Sequence, residues 1–186
     1  MGKLYEEIGL DIAAWVRQQH MFFVATAPLA NDGHVNCSPK GLDTLRILGP
    51  RRVAYLDLTG SGAETIAHLR ENGRIVFMFC AFAGPPKIVR FHGRGEVITP
   101  ASPAWEDLRG LFPSYPGART IICADVTRVS DSCGYGVPKF EHVEDRDTIQ
   151  RWAETKGTEG LPLYRRQKNA HSIDGLPGMD ASENGG

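Results

Sequence analysis

The chain has 186 residues, of which 41% are hydrophobic, so it is long and apolar enough to form one domain with a substantial core. Its 21 Lys and Arg residues nearly cancel its 22 Asp and Glu residues, which argues against a nucleic-acid or anionic-membrane partner. The four cysteines lie far apart with no C-x-x-C motif and no secretory leader, and no apolar run reaches the roughly 20 residues that span a bilayer. We therefore expect a cytoplasmic protein with reduced thiols and no metal site.

The first part of the chain alternates apolar runs with short turns. Apolar residues at helical spacing predict an amphipathic helix over residues 4–19. Strand-forming residues predict a strand over residues 21–27, and the turn at residues 31–33 leads into a second strand over residues 34–41. A third strand is predicted over residues 51–58.

The middle of the chain continues with strands and two helices. A helix is predicted over residues 63–72, followed by strands over residues 74–82 and 87–98. A Ser-Pro start predicts a short helix over residues 102–112, and the sixth strand is expected at Ala118–Ser132. Six strands joined mostly by short turns favour a mainly β fold with flanking helices, a closed antiparallel barrel, over an alternating α/β fold.

The last part of the chain has a different organisation. Residues 133–143 contain too many glycines and prolines for regular structure, and a helix is predicted over residues 145–157 with an acidic start and a Lys-Gly stop. We expect a barrel domain with its N-terminal helix at residues 1–143, a helical extension packed on the barrel at 144–178, and a disordered tail at 179–186.

The turn "TGSG" (residues 59–62) lies between the third strand and the helix that follows it. Such a turn can direct several backbone N–H groups and two hydroxyls at one point, where the helix dipole also favours negative charge. It therefore suits a phosphate group, although a plain turn with a helix cap has the same letters. It is not a Walker loop, because the lysine and spacing of that motif are absent.

The stretch "NCSPKG" ends the second strand. Asn36, Ser38 and Lys40 alternate with Cys37 and Pro39, so an amide, a hydroxyl and a cation are expected on one face of the strand. These groups would line a groove or form an exposed polar face.

The stretch "KIVRFHGRG" also alternates, and three of its cationic or titratable groups, Arg90, His92 and Arg94, form one row. That row suits an anion-facing wall, a subunit interface or a solvated face. The two expected faces are Lys87, Val89, Phe91 and Gly93 on one side, and Ile88, Arg90, His92 and Arg94 on the other.

The order of these elements resembles the FMN-binding split-barrel family related to pyridoxamine 5'-phosphate oxidase. The resemblance runs from the first strand through "NCSPKG", "TGSG" and "GRGEV", and continues through "DSCGYGVP" and "KNAHSIDGLPG", which are similar to a bacterial subgroup of that family. It implies a six-stranded antiparallel split β-barrel and a homodimer with FMN in the cleft between subunits.

The resemblance also implies which residues hold the cofactor. The expected ring and ribityl contacts are Asn36, Cys37, Ser38, Pro39 and Lys40. The expected phosphate contacts are Thr59, Gly60, Ser61, Gly62 and Thr65. The oxidases of this family carry a basic pair after the phosphate-binding serine, whereas this chain has Gly-Ala-Glu at residues 62–64. Lys40, with Lys87 or Arg90 from this or the partner subunit, is therefore expected to supply positive charge.

The function implied is that of a flavin-dependent oxidoreductase acting on an unidentified small molecule, with no catalytic side chain assigned. Lys40 is expected near N1 and the C2 carbonyl of the flavin, where it would stabilise the anionic reduced ring. Tyr135 or Trp152 is expected to cover the ring or to brace the extension. The alternatives are a deazaflavin-dependent reductase and a non-enzymatic flavin- or haem-binding module.

Overall fold

A computed structural model describes residues 2–183 of the chain. Among these residues no helix combines the length and the apolar character that a membrane crossing requires. The elements in chain order are β1 (Leu4–Tyr5), α1 (Leu10–Arg17), β2 (Phe22–Thr26), β3 (Asn36–Lys40), β4 (Leu45–Gly49), β5 (Arg52–Leu58), α2 (Glu64–Asn72), β6 (Arg74–Cys80), β7 (Ile88–Ile98), α3 (Trp105–Arg109), β8 (Ala118–Ser132), α4 (Thr148–Lys168) and a 3-10 turn (Ala181–Glu183).

The strands form one antiparallel sheet in the order β3-β2-β6-β7-β8-β5-β4, with β1 added to β8. The 15-residue β8 is the organising strand, because it pairs with β7 on one side and with β5 and β1 on the other. A bulge lies between His92 and Gly93. A Cβ on Gly93 would overlap the carbonyl oxygen of Asp125, so the close approach of the two strands there requires glycine. The result is the mainly antiparallel sheet with flanking helices that the sequence predicts.

The core consists of two clusters on opposite faces of β5. Tyr55 packs edge-on against Phe22 and Phe77 in the larger cluster, which α1 and α2 cover. Leu56, the next residue of β5, faces the smaller cluster, which includes Ile121 and is covered by α3. Both faces of β5 are therefore buried, which explains its nearly unbroken run of apolar residues.

Three sequence predictions of local structure are wrong in part. The described residues contain eight strands rather than six, because β1 and β4 were not expected. Leu4 and Tyr5 pair with Ser130 and Val129 instead of starting the first helix. The last helix does not stop at Gly157: this residue adopts φ 67° and kinks the chain, and helical structure resumes as far as Lys168.

The expectation of a disordered tail is also wrong for the part that the structure describes. Met179 is 3% exposed and packs in the larger core cluster, while Arg70 forms an ion pair of 2.6 Å with Glu183. The packed chain thus continues to Glu183, and residues 184–186 of the expected tail lie outside the described residues.

Candidate functional site

An open cleft of about 1680 Å³ lies between β3, the turn before α2 and the irregular segment after β8. Its lining includes the polar face of β3 together with Gly60, Gly62, Glu64, Thr65 and Arg119. The rest of the lining mixes polar and charged residues, such as His20, Lys87 and His142, with the apolar residues Trp15, Met21, Phe82, Pro85, Pro86 and Phe140. The cleft therefore offers charge and hydrogen bonds together with apolar surface against which a flat group can pack.

The polar face of β3 lines this cleft. The burial of β3 alternates, with Asn36, Ser38 and Lys40 partly buried. The Ser38 hydroxyl donates to Asn36 Oδ1 at 2.9 Å, and Asn36 Nδ2 donates to the hydroxyls of Thr26 at 3.1 Å and Thr65 at 3.0 Å. These bonds fix the face of β3 against the start of α2.

A buried ion cluster lies behind β3. The Asp57 carboxylate is fully buried and accepts from Lys40 Nζ at 3.0 Å and from Arg119 Nε at 2.6 Å. Burial alone would raise the pKa of Asp57, but Arg119 and Lys40 outweigh it and lower that pKa to about 2. Because two cations share one carboxylate, the cluster has a net charge of +1, and Lys40 and Arg119 both line the cleft.

The backbone of the turn before α2 offers unpaired donors. Within residues 2–183, none of the N–H groups from Gly60 to Ile66 has a hydrogen-bond acceptor, and α2 lacks a side-chain cap. The carbonyl groups of the turn are paired: Asn169 Nδ2 donates to Gly60 O at 2.9 Å, and Arg119 Nη1 donates to Gly62 O at 2.9 Å. A run of free donors at the positive end of a helix attracts an anion.

The structure brings eight of the twelve expected site residues to the cleft. These are Asn36, Ser38, Pro39, Lys40, Gly60, Gly62, Thr65 and Lys87.

The remaining four lie elsewhere. Thr59 is 1% exposed, and its hydroxyl donates to Gly117 O at 2.7 Å and accepts from Arg165 Nε at 2.9 Å, so it is not available to a ligand. Cys37 is exposed and alternates with the side chains of β3 that line the cleft. Ser61 is exposed, with no side-chain hydrogen bond in the described part of the chain. Arg90 donates to the Ser132 hydroxyl at 3.0 Å.

The two aromatic residues expected over a ring differ in position. Tyr135 lines the cleft and is 83% exposed. Trp152 lies outside the cleft and packs edge-on against Tyr164, with ring centroids 4.9 Å apart. Of the two, only Tyr135 is placed to contact a cleft ligand.

Four residues of the site were missed by the sequence analysis. Asp57 left a signal, because an acidic residue inside an apolar strand requires a buried partner. That partner is Arg119, a basic residue at the start of the apolar run of β8. Arg165 and Asn169 left no local signal, because they reach the turn only through the packing of α4.

Comparison with known proteins identifies the family. A family model described as pyridoxamine 5'-phosphate oxidase matches residues 10–133. The chain belongs to the pyridoxamine 5'-phosphate oxidase family. A relative in Aspergillus flavus, the pyridoxamine 5'-phosphate oxidase family protein ustO, is 40% identical over 195 residues, which cover 96% of this chain and 78% of the fungal protein. The predicted family membership is confirmed.

Solved structures share the fold of this chain. A protein from Clostridium acetobutylicum related to general stress protein 26 of the pyridoxinephosphate oxidase family has a TM-score of 0.53 at 14% identity, over 75% of this chain and 95% of that one. HupZ of Group A Streptococcus has a TM-score of 0.51 at 21% identity, over 66% and 91% of the chains. An FAD-binding protein from Mesorhizobium loti has a TM-score of 0.50 at 15% identity, over 70% and 96%. The split-barrel fold is thereby confirmed.

Proposed function

We propose that this family member is an FMN-binding flavoprotein that uses the flavin in an oxidoreductase reaction on a small molecule. The proposal is carried by the run of unpaired N–H groups from Gly60 to Ile66, because four residues of this run line the cleft beside the polar face of β3. Membership of the pyridoxamine 5'-phosphate oxidase family supports a flavin as the ligand. The FAD-binding protein from Mesorhizobium loti adds support, because it is a flavin protein with the same fold.

The charges near the turn support a phosphate group there. Lys40, Arg119 and Arg165 are opposed by Asp57 and Glu64, which leaves a net charge of +1 around the turn. Burial and the charge of Arg119 lower the pKa of Arg165 to about 10, so this residue is still charged at neutral pH. This net positive charge takes the place of the basic pair found in the family's oxidases. The unpaired N–H groups of the turn add further positive potential.

The polar face of β3 supports a place for the ring and ribityl chain. Ser38 and Lys40 present a hydroxyl and a cation, and the apolar residues of the cleft suit a flat ring. A flavin bound there supplies the redox chemistry. The role of Lys40 is to hold positive charge beside the polar edge of the ring, with its position fixed by Asp57.

We also propose that the protein acts as a cytoplasmic homodimer with the cleft at the subunit interface. Tyr135, Phe140 and Val143 are 83%, 62% and 86% exposed, and they belong to the irregular segment beside the cleft. A second copy of the chain would cover this apolar surface. All four cysteines are free, and Cys37 and Cys133 are exposed, which fits a reducing compartment.

Cofactor identification tests the proposal. The purified protein is denatured, the released small molecule is identified by mass spectrometry, and the emptied protein is titrated with FMN and with riboflavin by fluorescence. We expect released FMN and tighter binding of FMN than of riboflavin. Released deazaflavin or haem would favour the alternatives named above, and equal affinity for FMN and riboflavin would contradict a phosphate site.

A further inference from the structure

The end of α4 makes hydrogen bonds to the turn at residues 59–62. Asn169, the residue that ends this helix, is fully buried, and its Nδ2 donates to Gly60 O at 2.9 Å and to Ser61 O at 3.4 Å. One turn earlier in the helix, Arg165 is 6% exposed and donates from Nε to the Thr59 hydroxyl at 2.9 Å. Neither side chain lines the cleft.

These bonds determine where the free donors of the turn point. In a trans peptide the C=O of one residue and the N–H of the next point in opposite directions. Because Asn169 binds the carbonyl groups of Gly60 and Ser61, the N–H groups of Ser61 and Gly62 are directed away from Asn169. Those N–H groups have no acceptor in residues 2–183, so the contacts of Asn169 hold the turn in a conformation that leaves donors unpaired.

The C-terminal segment holds Asn169 in place through backbone hydrogen bonds. Met179 N donates to Asn169 O at 2.8 Å, and Gly178 N donates to Ala170 O at 2.8 Å. A Cβ on Gly178 would overlap Asn169 O, which shows how closely the segment packs there. The segment after α4 thus helps to hold the turn in place, because it fixes the position of Asn169.

We propose that Asn169 and Arg165 are positioning residues for the phosphate of the ligand. Asn169 sets the direction of the N–H donors in the turn, Arg165 holds Thr59 at the start of the turn, and neither touches the ligand. The inference rests on the function proposed above. A brace that only stabilises α4 would affect every part of the ligand alike, whereas a positioning residue for the turn affects the phosphate selectively.

The test compares Asn169→Ala with a matched control in the same segment. Ser172→Ala is the control, because Ser172 is 7% exposed and accepts from Leu176 N at 3.1 Å but makes no hydrogen bond to the turn among residues 2–183. The full chain of each variant is titrated with FMN and with riboflavin, and folding is checked by thermal unfolding. We expect Asn169→Ala to weaken FMN binding by at least about tenfold and riboflavin binding by less than about threefold, while Ser172→Ala changes both by less than about threefold.

A second variant keeps the test decisive if Asn169→Ala does not fold. Arg165→Lys retains the charge but loses the Nε–H donor to Thr59, and it should show the same selective loss of FMN binding. Equal losses for FMN and riboflavin, no loss at all, or failure of both variants to fold would assign the two residues to a structural brace and overturn the inference. If wild-type protein itself does not prefer FMN to riboflavin, the proposed function fails as well; if it does, only the positioning role fails.

Discussion

Asp57 Oδ2 accepts a hydrogen bond from Arg119 Nε across 2.6 Å, and both side chains are almost completely buried. The pair joins β5 to β8 below the cleft, and Lys40 adds a second cation from β3. This part of the cleft is therefore built on a buried charge network that ties three strands together.

Removal of Asp57 should destabilise the protein strongly. Asp57→Ala would leave Arg119 buried without its carboxylate partner, and we expect a loss of about 3 to 5 kcal/mol in the free energy of unfolding, measured by urea denaturation. The control is Asp125→Ala, which breaks the exposed pair of Asp125 with Arg52 and should cost no more than about 1 kcal/mol. Similar losses in the two variants would contradict the structural role of the buried network.

The buried His68 should make stability depend on pH. It is fully buried, its Nδ1 lies 2.9 Å from the Thr26 hydroxyl, and its Nε2 has no partner among the described residues. Burial lowers its pKa, although the carboxylates of Asp174, Glu64 and Glu71 oppose the shift.

The direction of the pH dependence follows because the pKa of His68 is lower in the folded state than in the unfolded state. Above about pH 6.5 the imidazole is neutral in the folded and unfolded states, so its full contribution to stability is present. As the pH falls below that value, the unfolded state binds a proton that the folded state resists, and stability drops by up to about 1.4 kcal/mol per pH unit. Urea midpoints between pH 5 and 7 should fall less steeply for His68→Asn than for wild type or for the exposed control His171→Asn. Identical slopes for all three proteins would refute the prediction.

The apolar surface beside the cleft should hold two copies together. Val143→Asp places a charge on a residue that is 86% exposed in the single chain, so we expect it to leave folding intact and to separate the dimer. Sedimentation velocity at micromolar concentration measures this. Leu163→Asp, on a residue of α4 that is 51% exposed and lies outside the cleft, is the control and should remain dimeric. A wild-type protein that is monomeric and still binds FMN would contradict the proposed dimer.

The sequence predicted those features that depend on local patterns. Alternation of polar and apolar residues was enough to place Asn36, Ser38 and Lys40 on one face of a strand, because side chains of a strand repeat with a period of two. The same reasoning located the long strands β7 and β8 within one residue.

Features that depend on distant contacts were not predicted. The pairing of Leu4 with Ser130 adds the N-terminal segment to β8, and no local pattern distinguishes it from the start of a helix. The Thr59 hydroxyl was expected to face a phosphate, but Gly117 and Arg165 pair with it from the other side. The role of Asn169 follows only from the continuation of α4 beyond Gly157, where the sequence predicted that the helix would stop.

Ser61→Glu tests most directly whether the turn before α2 binds the phosphate of FMN. Ser61 is exposed and lies among the unpaired N–H groups, so a carboxylate there would repel a phosphate without disturbing the core. Ser114→Glu, at an exposed serine outside the cleft, is the matched control. In fluorescence titrations we expect Ser61→Glu to weaken FMN binding by at least about 2 kcal/mol, roughly 30-fold, and riboflavin binding by less than about threefold, with little change in Ser114→Glu. Equal losses of FMN and riboflavin binding in Ser61→Glu, or none, would contradict the account and leave the turn as an ordinary start of a helix.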